Sequence, residues 1–261
     1  AQDLNRCQQA LARKAGKRLI LCGDQKQAIY GFAGADAESM PRMAKELGET
    51  PAGCRTLPLT VTRRCGKAIV AEANKVVKDF EAHETCCEGK VSEALYPTYR
   101  RDGVTCERPW EQTYAVQVQP GDFILCRVNA PLVSQCFRFL KRGVRATIQG
   151  RDVAAGLTST VNKLSRKDPT LPVAELIRRL SDWHEDEASK ENAKRNPSES
   201  RLIVLSDRLA CLVCFTSEAR TVADVLAKID QVFTDDKKVA GVRLSSIHKA
   251  KGLEAPTVVW F

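Results

Sequence analysis

Residues 121–150 constrain the fold more than any other part of the chain. GDFILCRVN is a continuous apolar run of the kind that makes a strand buried on both faces. APLVSQCFRFLKRG follows with helical periodicity, and VRATIQG returns to a strand. The alternation predicts an α/β fold in which parallel strands are joined by a right-handed crossover. Such sheets hold ligands in the loops beyond the carboxyl ends of their strands. Residues that directly follow an apolar run are therefore the first candidates for a site.

The rest of the chain is read around this unit. Residues 4–15 have a helical pattern ending at Gly16, and RLILC at 18–22 reads as a further buried strand of parallel type. ADAESMPRMAKELG is a helix stopped by Gly48; residues 66–80 (GKAIVAEANKVVKDF) read as a long amphipathic helix. Residues 82–120 are irregular, with a strand or two around TYAVQVQ. Between 151 and 236 four helical patterns follow one another, with a charged stretch at 185–200 that reads as a solvated helix face or loop. Strands return as GVRLSSI and TVVWF, with the loop HKAKGLEAP between them.

At 261 residues the chain can hold one large domain or two modest ones, and no apolar stretch reaches membrane-spanning length. The formal charge of +9 suits a polyanionic partner, although basic proteins without one are common. Eleven cysteines without a secretory signal favour reduced thiols in a cytosol-like compartment. Cys22 and Cys126 read as core residues. Cys211 and Cys214 have CxxC spacing, but one pair inside LACLVCF suits packing better than zinc, which takes four ligands.

Three stretches carry chemistry. In LCGDQKQAIYGFAGA (21–35) the apolar run stops at Gly23-Asp24. An amide such as Gln27 can accept from a water and donate to a phosphate oxygen, while Tyr30 and Phe32, set among small residues, suit base stacking. The same stretch also reads as a polar loop followed by two core aromatics. In TVTRRCGKAIVAEAN (60–74), Arg63 and Arg64 precede a helix, where a guanidinium can reach a phosphate bidentately; a pair of surface arginines is the plainer reading. In SSIHKAKGLEAP (245–256), Ser246, His248, Lys251, Gly252 and Glu254 fall in one loop, suited to a nucleic-acid backbone and a ribose hydroxyl.

GDQKQAIYGFAGA resembles motif III (GDxxQxIYxFxGA) of UvrD/PcrA/Rep-like superfamily 1 DNA helicases. LTVTRRCGKAIVAEAN looks like their motif IV, FILCRVNAPL the R-x-N segment that follows, and LSSIHKAKGLE motif V (TxHxxKGLE). The AQD at the start looks like the tail of their Walker B motif, DExQD. The resemblance implies a RecA-like parallel sheet of the P-loop NTPase type. Residues 1–56 would be the remnant of a first domain, 57–150 and 237–261 the second, and 151–236 a helical insertion. It implies an ATP-driven translocase, with ATP and Mg²⁺ between the domains and single-stranded DNA, or a single-strand/duplex junction, across the top. Gln27 and Arg64 would be catalytic contacts to the γ-phosphate. Gln2 and Asp3 would flank the magnesium-binding acids, and Gly252 and Glu254 would meet the nucleotide. Tyr30, Phe32, Arg127, Asn129, Ser246, His248 and Lys251 would face DNA.

The departures carry expectations of their own. Phe32 stands where the family often has Trp, Ala33 where it often has Arg, and Ala255 where an aromatic is frequent. The Walker A loop is absent, the Walker B acids would precede Ala1, and motif VI would follow Phe261. The sequence is thus expected to be an internal piece of a helicase acting in DNA repair or replication. It would be inactive alone and complemented by segments upstream and downstream. Its compartment would be cytoplasmic or nucleoid-associated, nuclear in a eukaryote. The alternatives are a non-catalytic nucleic-acid-binding module derived from a helicase, and a subunit of a helicase-nuclease with acidic metal ligands further downstream.

Overall fold

A computed structural model describes residues 1–16, 18–31, 34–36, 38–50, 53–78, 80–92, 98–101, 104–107, 118–234 and 241–260. The chain divides into two compact units, Ala1–Leu95 and Tyr96–Phe261.

In the first unit, α1 (Arg6–Ala15) starts at a capping box in which the Asn5 side chain accepts from the Gln8 amide and the Gln8 side chain accepts from the Asn5 amide. Helix α2 (Ser39–Gly48) packs beside it with Met43 buried. The Asp36 carboxylate ion-pairs with Arg42 and Arg6. The hydrogen bond from Arg42 is the main reason its pKa lies below the ordinary range.

Two sequence expectations fail in this unit. RLILC is not a strand: Ile20 is 93% exposed, and Cys22 is exposed rather than core. Among the described residues no strand lies alongside it, and an apolar run becomes a buried strand only with neighbours on both faces. The helix expected over 66–80 is α3, Lys67–Ala73 only. Asn74 ends it: its amide donates to the Phe80 carbonyl and accepts from the Phe80 N–H, which draws the chain back. This fold-back leads β2 (Glu81–Ala82) into parallel pairing with β1 (Val61–Thr62).

The second unit begins with an antiparallel hairpin, β3 (Thr98–Arg101) and β4 (Val104–Glu107). Residues 113–117 of the expected TYAVQVQ strand lie outside the described residues. The strand–helix–strand unit forms as β5 (Phe123–Cys126), α4 (Ala130–Lys141) and β6 (Ala146–Gln149). Four helices follow: α5 (Arg151–Ser165), α6 (Val173–Asn192), α7 (Glu199–Thr216) and α8 (Val222–Val232). The chain then returns through β7 (Phe233–Thr234), β8 (Val242–Ser246), a short α9 (Ile247–Ala250) where a loop was expected, and β9 (Val258–Trp260).

These strands make a five-stranded sheet in the order β7-β6-β8-β5-β9, parallel at every pairing. The α/β architecture is consistent with a RecA-like fold. Strands β5 and β6 are not neighbours; β8, almost a hundred residues later, fills the place between them. One face of the sheet (Ile124, Cys126, Ala146, Ile148, Val242, Leu244) shares a single apolar core with α4 and with Leu157, Leu180, Leu212, Phe215 and Ile229 of the four helices. Phe215 meets Phe137 of α4 edge to face, with ring centroids 5.3 Å apart. The helical stretch is therefore built onto the sheet. Among the described residues no helix is long and apolar enough to cross a membrane.

Candidate functional site

In the first unit a polar cluster gathers around Gly23. A Cβ there would stand 2.5 Å from Gln2 Oε1 and 2.6 Å from Met40 Sδ, so glycine admits both side chains. Gln2 Oε1 accepts from the Asp24 amide at 3.3 Å. The Asp24 carboxylate then caps the single 3₁₀ turn Gln25–Gln27. It accepts from the Lys26 amide at 2.9 Å and from Gln27 Nε2 at 2.8 Å. Gln2, Asp24 and exposed Gln27 are thus linked by hydrogen bonds, with half-buried Asp3 adjacent in the chain. Tyr30 is half-buried, and its carbonyl accepts from the Ala35 amide, closing the turn that contains Gly31 and Gly34. Phe32 lies outside the described residues.

Arg63 and Arg64 stand exposed between β1 and α3. Arg63 Nη1 lies 3.3 Å from His83 Nδ1, and the Arg64 amide donates to Thr62 Oγ1. Gly66 caps α3 against Gly89, whose Cα would be 3.0 Å from an added Cβ.

In the second unit the site residues collect at the carboxyl ends of adjacent strands. Cys126 of β5 pairs with Ser246 of β8, so the next residues emerge side by side. Arg127 Nη1 lies 2.8 Å from His248 Nδ1 and 3.1 Å from Nε2. A neutral imidazole accepts here, and burial together with the Arg127 charge holds the His248 pKa below the ordinary histidine value. At the end of β6, Asp152 pairs with Lys249 at 2.6 Å. Burial would raise the Asp152 pKa, but the bond and charge of Lys249 outweigh it and the net shift is downward.

Asn129 serves a partner the sequence did not suggest. Its backbone N–H and Nδ2, with the Ala130 N–H, all donate to the Asp207 carboxylate of α7 at 2.8–3.0 Å. The loop after β8 is held from beneath by Arg243. That guanidinium sits 3.9 Å over the Phe123 ring and donates to the carbonyls of Gly121 and Glu254. Gly252 has φ +82 with open space around it, half-buried Lys251 precedes it, and the Glu254 side chain is exposed. Ser246 caps α9 by position only, without a side-chain bond.

Arg127, Asn129, Ser246 and His248 thus share one sheet edge. Asp152, Asp207 and Lys249 complete it and were missed, because each acts through a partner distant in the sequence. Among the described residues no group of three or more His, Cys, Asp or Glu could hold a metal ion. Cys211 lies buried in α7, where burial pushes its thiol pKa up.

The carboxyl edge of the parallel sheet thus brings together side chains from segments far apart in the chain. Residues 1–48, which include Gln2, Asp3, Gln27 and Tyr30, match the family model described as the UvrD/REP helicase N-terminal domain. The chain carries a UvrD-like helicase segment. Comparison with curated proteins gives no match.

Proposed function

We propose that this chain is part of an ATP-dependent helicase that moves along single-stranded DNA and opens duplex at single-strand/duplex junctions. The observation that carries the reading is the shared edge of β5 and β8. Arg127 and His248 come from motif-like segments far apart in sequence and meet there at hydrogen-bond distance, beside the Asn129 backbone. In this reading the domains follow the motifs: 1–56 ends the first RecA-like domain, 57–150 with 237–261 forms the second, and 151–236 is its helical insertion.

Two features, one in each unit, support the nucleotide part of this reading. Gln27 offers an exposed amide whose orientation is fixed by Asp24, and Gly252 leaves room for close approach of a ligand to the backbone. Gln27 and Arg64 would contact the terminal phosphate, Gln2 and Asp3 would stand beside the Mg²⁺ acids, and Glu254 would accept from a ribose hydroxyl. ATP would supply the free energy of phosphoryl transfer, assisted by Mg²⁺. The chain's own part is to orient the amide of Gln27 and to present Arg127, Asn129, Ser246, His248 and Lys251 to the phosphodiester backbone, and this reading assigns base stacking to Tyr30 and Phe32.

The test is ATP hydrolysis by the full-length protein with and without single-stranded DNA. Stimulated hydrolysis that falls at least a hundredfold, roughly the scale of a lost transition-state contact, in Gln27→Ala and Arg64→Ala is expected. A full-length protein with a complete Walker A loop and no DNA-stimulated hydrolysis would sink the proposal.

A further inference from the structure

We infer that Asp207 is a positioning residue for the DNA-facing edge: by clamping Asn129 and Ala130 it sets where the end of β5 holds Arg127 and Asn129. The strand-contact part of this inference rests on the function proposed above.

Helix α4 does not cap itself. Asn129 occupies its N-cap, yet makes no side-chain cap bond of its own. Its Nδ2 and its amide turn outward to a carboxylate 78 residues away, and the Ala130 amide does the same. Every one of these bonds is charge-assisted, and the carboxylate faces the positive end of the helix dipole. Asp207 itself sits on α7, which shares the sheet's core through Cys211, Leu212 and Phe215. The carboxylate therefore ties a helix of the insertion to Asn129 and Ala130, the second and third residues after Arg127. Arg127 is exposed, two residues before Asn129, and its guanidinium reaches His248.

A charge argument separates positioning from bystander. Next to a phosphodiester, a carboxylate repels. Removing it by Coulomb effects alone strengthens strand binding. Positioning demands the opposite sign: loss of Asp207 weakens binding even though a negative charge has gone.

The experiment compares the full chain with Asp207→Asn and Asp207→Ala. First, the His248 titration is followed by NMR without any ligand. In both variants the midpoint is expected to move up, towards that of Arg127→Ala, because Arg127 is no longer held against the ring. An unmoved midpoint in a protein that melts cooperatively overturns the inference and leaves Asp207 a helix cap. Second, binding to oligothymidylate is measured at low salt. It is expected to weaken about tenfold, the scale of one charge-assisted bond. Unchanged or tighter binding overturns the inference too. If the unaltered chain binds no oligothymidylate, the proposed strand contact fails, and the His248 midpoint still decides on Asp207. The Asn variant keeps an acceptor at the helix terminus and carries the test if the Ala variant unfolds. Adding Asp207→Ala to Asn129→Ala is expected to move both readouts further, since the backbone N–H groups of residues 129 and 130 still reach the carboxylate when only the Asn129 side chain is lost.

Discussion

Arg127 and His248 stand 121 residues apart in the chain, and the guanidinium Nη1 lies 2.8 Å from the imidazole Nδ1. Burial favours the neutral ring, and a cation so close favours it further, so the His248 pKa is lowered. Arg127 is the charge that acts on the ring, while Lys249, next in the chain, is paired with Asp152.

Arg127→Ala is expected to raise the His248 midpoint towards its ordinary value, read by NMR titration. The sign for stability follows from linkage. Just below pH 6.5 the unfolded state binds the proton and the folded state does not. Stability therefore falls as pH drops from 6.5 to the folded midpoint. In Arg127→Ala that loss shrinks. Melting curves taken across this window check it, and an equally steep loss in the variant contradicts the assignment.

Thiol labelling separates the cysteines by environment. Burial alone pushes the Cys136 pKa up to about 12, and it raises that of Cys211 as well. Thiolate is the reacting form, so both are expected to resist alkylation in the native protein at neutral pH. Exposed Cys7, Cys22, Cys54 and Cys87 are expected to label readily. Mass spectrometry of the native, alkylated chain gives the answer. Protection of Cys22 would mean that RLILC is buried after all.

The labelling pattern also marks where sequence periodicity informs and where it does not. Residues 123–149 were legible because FILC, the α4 stripe and ATIQ each carry their own period, and local pattern suffices to specify such elements. The burial of RLILC was not legible, since an apolar run reports a capacity for burial and the partner strands decide whether it is used. The length of α3 turned on the Asn74 amide bonding to Phe80, a contact that helical periodicity does not register. At the site, Arg127 and His248 could be named from motif-like spacing, but their contact depends on strand order. Asp207 had no signal in its own neighbourhood. SDRL is an ordinary helical string, and its role comes from a turn of α4 that the chain reaches only through the fold.

A buried ring tests whether the helices after β6 and the sheet form one cooperative body. Phe215 is fully buried and lies in the core cluster that contains both Leu244 of β8 and Ile229 of α8. Phe215→Ala is expected to cost about 3–5 kcal/mol. Hydrogen exchange under native conditions should then show amides of β8 and α8 losing protection together. Loss confined to the helices would show that the sheet folds independently of them.

Backbone conformation offers a test of opposite sign. Arg166 ends α5 in the left-handed region, at φ 55 and ψ 32, and Lys167 follows at φ 62. Side chains with a Cβ are strained there, and glycine is the usual occupant of such a helix end. Arg166→Gly is expected to stabilise the second unit by up to about 1 kcal/mol, seen as a higher melting temperature. A lower one would mean that the Arg166 side chain makes a contact worth more than the strain.

Gly241 is where the late strand enters the sheet. Its φ is +134, and a Cβ there would stand 2.4 Å from the Arg145 carbonyl oxygen and 2.9 Å from the carbonyl carbon. These are backbone atoms that cannot step aside, because the same Arg145 carbonyl accepts from the Val242 amide at 2.9 Å and starts the β6–β8 pairing. On the other side, the Gly241 carbonyl accepts from the Gly121 amide as the chain approaches β5. One residue thus sets the register of β8 against both neighbours, and with it the place where Ser246 and His248 emerge beside Arg127. Gly241→Ala is expected to combine unfavourable φ, about 1–3 kcal/mol, with a clash that only a shift of β8 relieves. The measured outcome should be a loss of more than about 2 kcal/mol in denaturant unfolding. Folded protein that survives should show the His248 midpoint moved up, since a displaced β8 separates the imidazole from Arg127. Near-native stability with an unchanged midpoint would mean that β8 can enter between β5 and β6 without the glycine.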